Sequence, residues 1–175
     1  AGNKGLELSK GKWCLFLDDD DLLFSDHIEI LINTLMQNQK ASAAYSSSWE
    51  VLTNITKDHE TVKDYEEIKF STPIEKDFLY EALNKANFLP IQSVLFAREL
   101  FQSRGGFDED LEALEDWLLW NKYAKNNIFI HINKCTSMYR TPAKIKQGFS
   151  RNMIFRRSYT EVKQRINKVL ITHNI

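Results

Sequence analysis

An apolar run, Trp13-Cys14-Leu15-Phe16-Leu17, passes without a break into four aspartates, Asp18 to Asp21. The run has polar residues on both sides and suits a short strand buried on both faces. Its end must then lie where the core meets solvent. Two like charges about 4 Å apart near a protein surface repel by ~4 kcal/mol at an effective dielectric of 20, so four adjoining acids need a physical reason to coexist. In an extended chain Asp18 and Asp20 point to one side and Asp19 to the other. Two carboxylates converging there make an oxygen-rich site for a hard cation, Mn²⁺ or Mg²⁺. A solvated acidic loop, or a helix N-terminus that favours negative charge, accounts for the same residues. Position directly after a buried strand favours the cation, because open α/β sheets bind ligands beyond the carboxyl ends of their strands.

The rest of the chain alternates strand and helix signals. A short helix near Gly5 to Lys10 is expected to close at Gly11. Ser25 or Asp26 can cap a helix carrying Ile28, Leu31, Ile32 and Leu35 at helical spacing down to about Asn38. Strand character marks Ala41 to Leu52 and Ile91 to Ala97, with a hairpin or excursion over Thr53 to Glu67. A helix is expected over Pro73 to Lys85, and a helical turn ends at Gly105-Gly106. Glu115 to Lys125 reads as a helix with Trp117 and Trp120 as core residues, and Asn127 to Ile132 as a strand. Ser150 then caps a long amphipathic helix with Ile154, Val162, Ile166, Val169 and Leu170. The pattern predicts an α/β layer fold around a largely parallel sheet.

With 175 residues the chain has one domain's length and enough material for a substantial core. A net charge of -1 argues against non-specific nucleic-acid binding, which needs a basic excess. Cys14 and Cys135 stand apart, outside any CxxC or Cys/His cluster, which speaks for a reducing, cytoplasmic compartment. The longest apolar run is too short to span a membrane. Arg151, Arg156, Arg157, Lys163, Arg165 and Lys168 lie along the last helix. We read it as packed on the domain with a solvated basic face; peripheral contact with the inner face of an anionic membrane is the second reading.

A second acidic constellation lies in Gly105 to Trp120, GGFDEDLEALEDWLLW. Glu115 and Asp116 stand at a helix start, where the dipole favours an ionised carboxylate and a general base could work. Acids in a first helical turn are also ordinary capping chemistry.

Taken together, SKGKWCLFLDDDD and SVLFARELFQSRGGFDEDLEALEDWLLWNKYA resemble an inverting family 2 glycosyltransferase of the GT-A fold, from Asn3 to about Arg140. The resemblance implies an incomplete GT-A, Rossmann-like domain over about 1–140, with a mixed, mostly parallel sheet, followed by a C-terminal helix over about 150–172. It implies sugar transfer, with inversion, from a nucleotide-diphosphate sugar to a glycan or lipid-linked acceptor, assisted by Mn²⁺ or Mg²⁺. Asp18 and Asp20 match the Asp-x-Asp motif for donor and metal, Asp116 the base, and Glu115 its neighbour; Asp21, Tyr139 and Arg140 are further candidates.

Relatives carry a histidine shortly after a pair like Tyr139-Arg140, and YRTPAKIKQG has none. His27 and His131 are read as ordinary helix and strand residues. The family's first half, with its base-reading acid, is not in this sequence, so we expect a piece of a longer transferase. Alone, such a piece would be inactive, and the edge left at Trp13 to Leu17 would favour self-association. The competing function classes are metal-dependent phosphoryl transfer or hydrolysis, for which no phosphate-cradling loop is present, and a non-catalytic acidic interaction domain.

Overall fold

The structure, a computed structural model, describes residues 1–58, 63–71, 73, 76–143 and 145–171. In chain order the elements are α1 (Gly2–Leu8), β1 (Trp13–Leu15), β2 (Leu22–Leu23), α2 (His27–Gln37), β3 (Ala41–Asp58), β4 (Lys63–Phe70) and α3 (Tyr80–Lys85). They continue with β5 (Val94–Ala97), entered through a 3-10 turn at Ile91–Ser93, then α4 (Arg98–Arg104), α5 (Glu115–Ala124), β6 (Ile128–Pro142) and α6 (Ile145–Ile171).

One mixed sheet runs β1-β5-β3-β6-β2, with β4 paired to β3. The α/β class holds, but the expected predominance of parallel strands does not. Among the described strands only β3 and β6 pair in parallel; β1–β5, β3–β5, β3–β4 and β2–β6 are antiparallel. Alternating strands and helices fix the layers, not the direction in which a strand enters the sheet. Here β3 turns back through β4, and the Ser71 N–H reaches the Glu50 carbonyl at 2.9 Å. The chain later re-enters beside the first part of β3, with Val94 opposite Tyr45, and β5 runs antiparallel to it.

Neighbouring residues of β3 point to opposite faces, as the pleat demands. Ala44 packs with Leu31 and Leu35 of α2 on one side. Ala43 packs on the other with Trp117, Trp120 and Tyr123 of α5, Leu83 of α3, Leu100 of α4, Leu6 of α1, and Val162 and Ile166 of α6. In α2 the expected Leu31 and Leu35 are buried with Ile32 packed beside them, while Ile28 is exposed and His27 is buried in its place. Asp26 does stand at the N-cap of α2, yet its carboxylate pairs with Lys134 instead of capping.

Several boundaries move. Ser9, extended and bonded to Leu6 through its hydroxyl, stops α1 before Gly11. The expected hairpin forms from the pairing of β3 and β4, and residues 59–62 between them lie outside the described residues. Of the helix expected over Pro73 to Lys85 only α3 is helical, and 74 and 75 lie outside the described residues. The last helix begins at Ile145, ahead of Ser150, whose side chain also lies outside the described residues. The buried Lys125 donates to the Val169 and Leu170 carbonyls, satisfying acceptors that the end of a helix leaves open.

Candidate functional site

Beyond Leu15 the chain leaves the sheet, and the strand expected to continue to Leu17 is three residues long. β1 is an edge strand, with only β5 beside it among the described strands. Leu17 is 52% exposed. Asp18 to Asp21 form a turn in which the Asp21 N–H donates to the Asp18 carbonyl at 3.2 Å. Side chains here do not alternate as in a strand, because the backbone is not extended. The turn brings Asp18, Asp20 and Asp21 to one cleft of about 1300 Å³, and Asp19 is not among its lining residues.

The turn also answers how four acids coexist. Burial, with Asp20 and Asp18 beside it, pushes the Asp21 carboxyl up to about 7, so near neutrality it holds a proton part of the time. Burial and the charges of Asp20 and Asp19 raise Asp18 as well. Arg140, arriving on β6, locks the turn. Its backbone N–H donates to Asp21 Oδ1 at 3.3 Å, and its guanidinium donates to the Asp20 carbonyl. The same guanidinium lies 4.6 Å from the Tyr65 ring centre and 3.8 Å from Glu67. Tyr139 and Arg140 both line the cleft.

Glu115 and Asp116 line the same cleft, at the first turn of α5. Leu114 precedes them with φ 65° and ψ 18°, a left-handed conformation that reverses the chain into the helix. The two oxygens of Asp116 are held separately: Oδ1 accepts from the Trp117 N–H at 2.7 Å and Oδ2 from Asn87 Nδ2 at 2.8 Å. Part of the residue stays open to the cleft, yet protein atoms crowd the carboxyl. Burial, reinforced by the Glu115 charge, pushes it up to about 6 against those hydrogen bonds. A carboxylate poised there can accept a proton at physiological pH.

Asn87 was not singled out by sequence. Its Oδ1 accepts from the Leu89 N–H at 3.1 Å, a two-residue turn typical of asparagine, which makes it look like ordinary loop chemistry. Trp117 and Trp120 are core residues as expected, 2% and 0% exposed. Their indole N–H groups donate to Leu83 at 2.6 Å and Leu89 at 3.1 Å, tying α5 to the loop that carries Asn87.

Among the described residues no three His, Cys, Asp or Glu side chains gather to hold a metal ion. His27 is fully buried with Nδ1 2.6 Å from the Thr136 hydroxyl, and His131 stacks on Tyr45 at 4.9 Å; neither lines the cleft. The crowded carboxylates of the turn nonetheless fit a hard cation bound by one or two of them, its other ligands being phosphate oxygens and water. Among the described residues no helix is long and apolar enough to cross a membrane.

A family model described as glycosyltransferase like family 2 matches residues 1–172. A Haemophilus influenzae protein named as an uncharacterized glycosyltransferase is 30% identical over 115 residues, which make up 66% of this chain and 36% of that protein. The crystal structure of S. aureus TarS 1-349 superposes with a TM-score of 0.64 at 12% identity, over 99% of this chain and 44% of that one. A second S. aureus TarS structure gives 0.55 at 13% identity, over 96% and 29%. At such identities the likeness shows the fold alone. The chain spans about a third of the curated relative it matches and under half of these solved chains.

Proposed function

The chain belongs to glycosyltransferase like family 2, and from that membership we propose that it serves sugar transfer from a nucleotide-diphosphate sugar to an acceptor hydroxyl, with inversion at the anomeric carbon. One observation carries the reading. The carboxylate turn at Asp18, Asp20 and Asp21 and the carboxyl of Asp116 line a single cleft, although nearly a hundred positions separate them. We assign this chain the acceptor side and the diphosphate end of the site.

In this reading Asp116 removes the proton of the acceptor hydroxyl as its oxygen bonds to the anomeric carbon. The bond from that carbon to the diphosphate breaks on the opposite face, and its electron pair leaves with the nucleoside diphosphate. Asn87 and the Trp117 N–H fix the plane of the Asp116 carboxylate, so that its remaining lone pairs keep one direction. Burial, reinforced by the Glu115 charge, keeps that carboxylate basic enough to act. Arg140, beside the turn, offers positive charge to the departing diphosphate. Asp20 and Asp18 would hold a divalent cation, which when bound neutralises the same leaving group.

Release of UDP or GDP from a panel of UDP- and GDP-sugars, with Mn²⁺ and with EDTA, tests the proposal in the full-length protein. One donor should turn over, and only with the cation present. No binding or turnover of any nucleotide sugar would end the transferase reading. In the same assay Asp20→Asn should lower cation-dependent turnover by about 10²-fold or more, since an amide supplies no charge to the metal. Turnover at wild-type level with an unchanged Mn²⁺ requirement would remove Asp20 from the site.

A further inference from the structure

The segment between α4 and α5 forms a wall of the cleft through Phe107, Asp108 and Glu109, and it is fastened from three other elements. From α1, the Asn3 side chain pairs with the Phe107 backbone in both directions, accepting from its N–H at 2.8 Å and donating to its carbonyl at 3.0 Å. A Cβ on Gly106 would stand 2.1 Å from Asn3 Oδ1, so only glycine admits this contact. From α5, Lys122 Nζ donates to the Gly106 carbonyl at 3.1 Å and to Asp108 Oδ1. From α6, Arg165 donates to Asp108 Oδ2 at 2.6 Å and grips both oxygens of Asp110 at 2.9 and 2.6 Å. Its third partner is Glu161 on its own helix.

Asp108 is the hub, since each of its oxygens meets a different cation. Burial alone would raise its carboxyl, but hydrogen bonds from Lys122 and Arg165 hold it below the ordinary range. Arg165, read from sequence as part of a solvated basic face, is instead spent on three acids, with its side chain 23% exposed. On the same helix Phe155 lines the cleft. A guanidinium fork matches carboxylate geometry and sets orientation as well as charge, which an ammonium does less well.

We infer that Asp108 and Arg165 are positioning residues, a clamp through which α6 fixes the cleft wall leading into Leu114 and Asp116. The C-terminal helix is thereby part of the site and not an appendage. The inference rests on the transferase reading for its effect on catalysis, while the clamp itself rests on geometry alone.

Two measurements on the full-length protein separate these parts. The first is amide hydrogen exchange over 105–111, where the Phe107 and Leu111 N–H groups are bonded to Asn3 Oδ1 and the Asp108 carbonyl. Arg165→Gln and Asp108→Asn should each speed exchange there by about tenfold or more, while the sheet keeps its protection. Arg165→Lys should fall between, and Glu161→Gln, which leaves the loop contacts intact, should match wild type. The second is release of UDP or GDP from the best donor of the panel. Turnover should fall roughly ten- to a hundredfold in Arg165→Gln with little change in donor KM, the mark of lost positioning rather than lost binding. Unchanged exchange would overturn the clamp whatever the activity. Faster exchange with wild-type turnover would overturn the positioning role. If no nucleotide sugar turns over even in wild type, the transferase reading and with it the positioning role fail, while the exchange data still decide the clamp.

Discussion

Asp116→Asn should lower sugar transfer by about 10²- to 10⁴-fold, the range a positioned proton acceptor contributes, while donor binding stays near wild type. The amide keeps the shape and can still accept from the Trp117 N–H, but it cannot take a proton. Near-normal turnover in this variant would move the base to Glu115 or to another group. The pH profile carries the same information. Because burial pushes Asp116 up to about 6, its ionised fraction, and the transfer rate with it, should drop roughly tenfold per unit below that value. Stability should respond in the opposite sense. The fold raises this carboxyl above its unfolded value, so it favours the neutral form. That contribution is complete below the ordinary carboxylate range near 4 and is lost as pH rises through about 6. At pH 7 the wild type carries a charge whose burial outweighs its two hydrogen bonds, and asparagine removes that charge. Asp116→Asn should therefore be more stable by roughly 1–3 kcal/mol, discounted for water reaching the open side, and the gain should vanish near pH 4. Urea titrations at the two pH values check it; equal stabilities at both would mean that the carboxyl is not perturbed.

Trp120→Ala should be the most damaging core substitution. Trp120 is fully buried on α5, 5.7 Å from the Phe96 ring and 6.2 Å from that of Tyr123, and its Nε1–H satisfies the Leu89 carbonyl. Truncation leaves a cavity costing about 3–5 kcal/mol, and an orphaned carbonyl adds about 1–3 kcal/mol where water cannot reach it. Against a typical total of about 5–15 kcal/mol that is enough to populate unfolded chain. The local consequence reaches the site, because Leu89 belongs to the turn that aims Asn87 at Asp116. Trp120→Phe should recover most of the packing and lose the hydrogen bond. A urea midpoint shift equivalent to under about 1 kcal/mol for Trp120→Ala would show that this contact is not central.

Both ends of the candidate site were legible as sequence because each is a local event. Four acids follow an apolar run, and Glu115-Asp116 opens an aromatic helix; adjacency in the chain is enough to see either. Asn87 was not legible, since a loop asparagine two residues before an N–H it can bond looks the same whether or not a catalytic carboxyl lies nearby. Arg140 was named, but its grip on Asp20 and Asp21 spans about 120 positions. The crowding of the acids argued for a metal when only the sequence was in view. Folding supplies partial relief of its own, through a proton shared with Asp21 and the charge of Arg140.

The sequence by itself determined the layers: hydrophobic period is local and gave the helices and the mixture of helix and strand, while the resemblance of two acidic motifs implied the family. Tertiary structure alone decided the direction of β5 and the use of Arg165. Each depends on where the chain re-enters the sheet after β4 or on which acids α6 finds beneath it. Backbone pairing and charge pairing of that kind are settled by distance in space, and distance in space is what a linear pattern of polar and apolar residues does not encode.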